Sequence, residues 1–416
     1  MPHGRVRDQA PARGFAALGP GRTAYALGWH ARRVTERHAI LTVWESRFDW
    51  SPAPDVDQAD VHVDGAAPVT YAARVWESPV IESPFAATEL IPSWNARTPA
   101  GTWLHVEGRV GDASGWTPWF TFARWAEDDP QGESPITRTT VRDQVFEAGR
   151  VSTDTWLSAP GRGIARWQLR VTALAVPTDE IAWPTVTLVS GVASRFEISP
   201  EDPTSPSDVG RGLEVAVPPH SQRLHVDTFP DWDNGGQSWC SPTSTTMLLE
   251  HWGLAPGREE TSWVGHDTDP EVVHGVRRVF DRSYGGAGNW AFNTAYAGTR
   301  GLRAYVTRLR DLAEAEAFVA AGVPLVVSVS FREDELDGAG YETSGHLLTV
   351  VGFTAEGDVV SNDPNSHRVA SNDAVRTVYR RDQFERVWLG ANGGLTYVMH
   401  PRDVALPIPP IEPNWR

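Results

Sequence analysis

"IARWQLRVTALAV", residues 164–176, alternates without a break: Trp167, Leu169, Val171 and Ala173 fall on one side, and Arg166, Gln168, Arg170 and Thr172 on the other. Period-two alternation sends successive side chains to opposite faces of an extended chain, so the stretch reads as a half-buried strand. Working outward, "AILTVWES" (39–46), "GTWLHVEGRV" (101–110), "TPWFTFARW" (117–125) and "PTVTLVSGV" (184–192) share its short, turn-bounded character. Many short strands with no helical period between them predict an all-β sandwich, jelly-roll-like, over residues 38–197. Residues 1–37 carry no periodicity and read as a loosely ordered arm.

Twelve of the 19 tryptophans precede residue 198, enough to dominate the core of such a sandwich. Trp94, Trp116 and Trp119 are the ones whose exposure would instead make a platform for sugar rings, with glycan as partner. "PEDPTSPSDVGRG" (200–212) has linker composition, which sets a linker at 198–212.

From 213 to 416 the pattern changes. "SPTSTTMLLEHW" (241–252) stops at Gly253; "PEVVHGVRRVFDR" (270–282) and "LRDLAEAEAFVAAG" (309–322) have helical apolar spacing. "VPLVVSVSF" (323–331), "HLLTVVGF" (346–353) and "GDVVSNDP" (357–364) are β-branched and bounded by Gly or Pro. Helices followed by adjacent strands predict an α+β domain with an antiparallel sheet.

The bulk numbers narrow the function. A net charge of −16 lacks the basic footprint that nucleic-acid or anionic-lipid binding needs. No apolar run reaches the ~18 residues of a membrane span, and none near the N-terminus has signal-peptide form. Together with a lone thiol this predicts a cytoplasmic protein.

That thiol, Cys240, stands in "NGGQSWCSPTS" (234–244), between a glycine turn and a helix that Pro242 helps to start. At a helix N-terminus, free N–H groups and the positive dipole end favour thiolate and leave donors for an oxyanion. A buried structural thiol is the plainer reading of one Cys, but a nucleophile needs a base, and "SGHLLTVVGFTAEGDVVSNDPNS" (344–366) supplies one. His346 opens a strand and Asp363 closes the next; a register pairing 350 with 363 puts both side chains on one face, and a one-residue slip would separate them. A carboxylate beside the imidazole fixes its tautomer, which completes a Cys–His–Asp set.

"VPPHSQ" (217–222), "WCSPTSTTMLL" (239–249), "GHLLTVVGF" (345–353) and "VVSNDPNS" (359–366), in that order, resemble the motifs of papain-like cysteine peptidases. The likeness is to the double-glycine (bacteriocin-processing) leader peptidase-like family, C39, in its soluble stand-alone bacterial type, and it covers about 212–400. It implies a papain-like fold over 213–416, with Cys240 as nucleophile, His346 as general base and acid, and Asp363 as the orienting residue. It also implies a glutamine amide in the oxyanion hole: Gln222 by motif, although it lies 18 residues before Cys240, or Gln237 by proximity. Ser241 departs from the family pattern, which has Gly there and leaves the oxyanion hole less crowded.

Neither metal nor cofactor is expected. His266, Asp267, Asp269 and His274 match no ligand spacing, and a calcium loop begun at Asp231 would need Glu where Pro242 stands. The acidic, glycine-rich "DELDGAGYETSG" (334–345) reads as a mobile loop that gates the site. The expected function is hydrolysis of peptide bonds in a peptide or protein substrate, through a thioester on Cys240. The rivals are a cell-wall amidase or transamidase using the same residues, and a glycan- or protein-binding protein with a degenerate peptidase domain.

Overall fold

The structure, a computed structural model, describes residues 36–58, 69–199, 201–266 and 268–416. The expected arm at 1–37 lies outside the described residues except for its last two, and Asp267 lies outside them as well.

Residues 37–196 build two antiparallel sheets. One runs in the order Arg37–Glu45, Thr185–Phe196, Glu89–Arg97, Thr155–Ser158, Gly149–Ser152, Val145–Phe146. The other is centred on Ile164–Ala175, which pairs with Val69–Glu77, Ile81–Ala87 and Thr102–Asp112. The inner face read in that strand is buried at Trp167, Leu169, Val171 and Ala173, and on the other face Arg166, Arg170 and Thr172 are half-buried while Gln168 is buried as well. Trp167 reaches across to Trp44 of the first sheet, ring edge to ring face at 5.9 Å, so the two inner faces share one apolar core. Its outer face is used differently. Arg109 and Arg166 lie over the Trp116 ring, both 4.7 Å from its centroid, and Arg109 and Arg170 lie over Trp119 at 4.6 and 4.3 Å. Guanidinium groups thus cover the rings that would have served a sugar platform. Trp94 is fully buried.

The second half is α+β. Its helices are α1 (Cys240–His251), α2 (Arg258–Thr261), α3 (Pro270–Val279), α4 (Trp290–Thr299), α5 (Leu312–Ala320) and α6 (Arg381–Asn392). Its sheet is antiparallel throughout, in the order Arg303–Arg308, Leu395–His400, Leu325–Phe331, Thr343–Phe353, Val359–Asn362, Arg376–Tyr379. Asp311 caps α5 by accepting from Glu314 N at 3.0 Å, and Gly322 ends the turn after it with φ 76°. Helix α4 carries no apolar stripe because Ala291 to Ala297 are all buried, so its sequence has no polar face to betray a period. Among the described residues, no helix is long and apolar enough to cross a membrane.

Strand Arg303–Arg308 is an edge, and the β-rich half closes it. Asn95 Nδ2 donates to Ala304 O at 2.8 Å while its Oδ1 accepts from Ala304 N at 3.1 Å, and Ser93 Oγ accepts from Val306 N at 2.9 Å. Side chains of one sheet therefore finish the open backbone of another, the usual cure for an exposed edge. Trp94 packs on Phe292 of α4 beside this seam. The described residues consequently form one compact unit.

Asn95→Ala should expose the cost of that seam. It leaves the N–H and C=O of buried Ala304 unpaired, for a loss of about 2 kcal/mol or more in urea-unfolding free energy. A variant that unfolds at the wild-type midpoint would show the edge to be satisfied in some other way.

Candidate functional site

Cys240 is the first residue of α1 and is 9% exposed. Trp239 before it is buried, with Nε1 donating to Trp232 O at 2.7 Å, and its carbonyl accepts from Thr243 N at 3.0 Å. The cap position has no side-chain oxygen bonded to the helix start, so nothing on the cap offsets the positive end at the sulfur. Ser241 turns away from the cleft: its hydroxyl is buried and bonded to Tyr397 OH at 3.0 Å.

His346 and Asp363 reach one another through a register correction. At the hairpin turn Phe353 pairs with Val359 and Gly352 with Val360, a register that would send positions 346 and 363 to opposite faces. A bulge at Val351 resets it, and beyond the bulge Val350 pairs with Ser361 and Thr349 with Asn362. The pairing is displaced by two residues from the expected 350 with 363, and an even displacement keeps both side chains on one face. The bulged carbonyl is not wasted, since Val351 O accepts from Val215 N at 2.7 Å. That segment runs so close that a Cβ at Gly352 would meet Leu213 O at 2.6 Å.

The outcome is a short bond between buried groups: His346 Nε2 to Asp363 Oδ1 at 2.8 Å. The same oxygen accepts from Asn365 N at 2.9 Å, and Oδ2 accepts from Tyr341 OH at 2.8 Å and Tyr379 OH at 2.6 Å. With Nε2 committed to the carboxylate, Nδ1 is the ring nitrogen left for Cys240, which lines the same cleft as His346. Burial alone would lower the His346 pKa, but Asp363 first and Cys240 second raise it, to about 10. Asp363 moves the other way: burial raises its pKa, yet the His346 charge and the donated hydrogen bonds outweigh that and hold it below the ordinary carboxylate range.

Gln222 is brought to the same place. Its backbone N–H donates to Pro364 O at 3.0 Å, next to Asp363, and its Nε2 donates to Gln237 O at 2.9 Å. Residues 227–238 loop out between Gln222 and Cys240, which reconciles the long sequence gap with spatial proximity. Gly236 makes this possible, because a Cβ there would sit 2.1 Å from Gln222 O. Gln222 is buried while Gln237 is exposed, and both line the cleft.

Two residues upstream of Gln222, His220 Nε2 bonds Glu250 at 2.5 Å, and its Nδ1 lies 3.4 Å from Asp269. His220, Glu250 and Glu271 are the one trio among the described residues with metal-ligand proximity. Burial lowers the His220 pKa, but the carboxylates of Asp269 and Glu250 beside the ring overcome it and raise it to about 9. The ring's ion pairs with Glu250 and Asp269 link the Gln222 segment to the end of α1 and the start of α3.

A cleft of about 640 Å³ opens on this arrangement, lined by Gln222, Gln237, Cys240, Tyr284, Trp290 and His346 among others. Sequence reasoning brought Cys240, His346, Asp363 and Gln222 together; it missed Tyr341, Tyr379, Tyr284 and Trp290. Tyr341 comes from the stretch expected to be a mobile gate, where it is instead buried, bonded to Asp363 and set edge-on to the His346 ring at 5.6 Å.

Residues 33–194 match the model of the family described as Peptidase C39 N-terminal domain, and residues 214–395 that of the Peptidase C39 like family. No curated protein matches the chain.

The pKa directions set a pH profile. His346, raised, contributes stability that is complete below its ordinary ~6.5 and is lost as pH climbs toward about 10. Asp363, lowered, contributes stability present above its ordinary ~3.9 and lost as pH falls through its folded value. Urea midpoints measured across both windows should decline for the wild type, and Asp363→Asn should flatten both limbs while lowering the plateau. A variant curve parallel to the wild type would show the pair to be uncoupled.

Proposed function

Because the chain belongs to the C39 peptidase family, we propose that it is a cysteine peptidase in which Cys240, His346 and Asp363 form the catalytic triad of a papain-like domain. The observation that carries this reading is a helix-start sulfur and an imidazole at the wall of one cleft, with a buried carboxylate bonded to the imidazole from behind.

In this mechanism His346 already holds, as imidazolium, the proton that Cys240 gives up, and the sulfur attacks the scissile carbonyl carbon. The C–S bond forms and the carbonyl electrons move to oxygen, where the Gln222 amide and the Cys240 N–H donate hydrogen bonds to the developing charge. Collapse of that intermediate breaks the C–N bond, and His346 gives its proton to the departing amine. Water, deprotonated by His346, then attacks the thioester; the acid leaves and the thiol is restored. Asp363 keeps the ring turned with Nε2 away from the sulfur and supports the imidazolium, and Tyr341 and Tyr379 hold Asp363.

The substrate is a peptide. Its oxyanion partner is better assigned to Gln222 than to Gln237, since a buried amide is fixed in place and an exposed one is not.

Cys240→Ala should abolish cleavage of a quenched peptide pool and labelling by iodoacetamide, with full retention of fold by circular dichroism. Gln222→Ala should keep the labelling and lower kcat by about 10²–10³, the range for one lost oxyanion donor. Cleavage by the Cys240→Ala variant at the wild-type rate would refute the assignment.

A further inference from the structure

The cleft continues past its aromatic residues. A second cavity, of about 240 Å³, shares Tyr284, Gly288, Trp290 and Asn392 with the cleft that holds Cys240. Its far wall belongs to the β-rich half: Glu89, and the turn joining Gly149–Ser152 to Thr155–Ser158, with Leu157 beyond it. That size is below the ~300 Å³ at which independent small-molecule pockets begin, and it suits one side chain of a longer ligand.

The shared wall is fixed from the β-rich side at two points. Asp154, 4% exposed, accepts from Trp290 N at 2.6 Å and Ala291 N at 3.4 Å, the first two N–H groups of α4. Thr140 donates to Asp281 through its N–H at 3.0 Å and its hydroxyl at 2.8 Å. Asp281 in turn accepts from Tyr284 N at 3.1 Å and from Asn289 Nδ2 at 3.0 Å. Both aromatic residues between the cavities are therefore held by the N-terminal half. The charged groups lining the second cavity are already engaged, Glu89 with Arg308 and Asp154 with the helix start. A charged guest would compete with those pairs and a neutral one would not.

We infer that this second cavity is a substrate subsite built by the N-terminal β-rich half, taking a neutral side chain of an extended peptide whose scissile bond lies at Cys240. The inference rests on the peptidase reading, and it makes the β-rich half a determinant of specificity. Ser152 is exposed at the rim and Leu157 is half-buried in the wall, so a tryptophan at either position obstructs the cavity without entering the core.

The test compares wild type, Ser152→Trp and Leu157→Trp on internally quenched octapeptides of randomised sequence and on their tetrapeptide cores. Both variants should raise KM for octapeptides about tenfold, as loss of one side-chain pocket does, and erase the preference for a neutral residue at one position remote from the cut. Tetrapeptide cleavage and the rate of Cys240 alkylation by iodoacetamide should stay at wild-type values, which separates a blocked subsite from a damaged fold. Octapeptide KM and side-chain preference unchanged in both variants would overturn the subsite alone. A wild-type enzyme that alkylates at Cys240 but cleaves no octapeptide would overturn the peptidase reading and the subsite with it.

Discussion

The site depends on one buried carboxylate. Asp363 is fully enclosed, and an ionised group there is tolerable only because its two oxygens receive four donors: an imidazole, a backbone N–H and two phenols. Each donor comes from a different stretch of chain, so the carboxylate also gathers structure. Tyr341 pins the segment before the His346 strand, Tyr379 pins the last strand of the sheet, and Asn365 pins the turn that places Pro364 O against Gln222 N. Taking away any one donor loosens a neighbour of the sulfur as well as the carboxylate.

The second dependence is on the seam between the halves. A sheet edge closed by Asn95 and Ser93, a helix start capped by Asp154, and a loop organised through Thr140 and Asp281 all carry polar contacts from the β-rich half into the α+β half. Each satisfies a buried backbone or carboxylate group that would otherwise be unpaired. The segment between the halves is equally engaged: Ser205 N bonds Glu385, and Asp208 N and Gly210 N bond Glu316, which also pairs with Arg381 at 2.6 Å. The aromatic wall that separates the cleft from the second cavity is therefore held from the β-rich half.

Much of this was legible in the residues. Strict alternation located Ile164–Ala175 and its neighbours because a half-buried strand must alternate, and the helix at Cys240 was legible from its Pro and Gly punctuation. The juxtaposition of His346 with Asp363 was legible as parity, although the pairing itself is displaced by two residues. Helix α4 was not legible, because burial on all sides removes the polar face that periodicity needs; the faint mark it leaves is Asn289, whose side chain caps it by accepting from Phe292 N at 2.9 Å. Tyr341 and Tyr379 were not legible either, for a lone tyrosine in a polar loop or at a strand end looks the same whether it faces solvent or a carboxylate.

Local periodicity, turn residues and spacing were enough to specify the kinds of element, the ordered motifs and the residue types able to do cysteine chemistry. Long-range packing set the bulge at Val351 that keeps His346 and Asp363 on one face, the looping-out of 227–238 that returns Gln222 to Cys240, and the β-rich wall of the cavity beside the cleft. These are meetings of residues tens to hundreds of positions apart, fixed by the demand that buried polar groups be paired, and no local pattern encodes which distant partner will meet that demand.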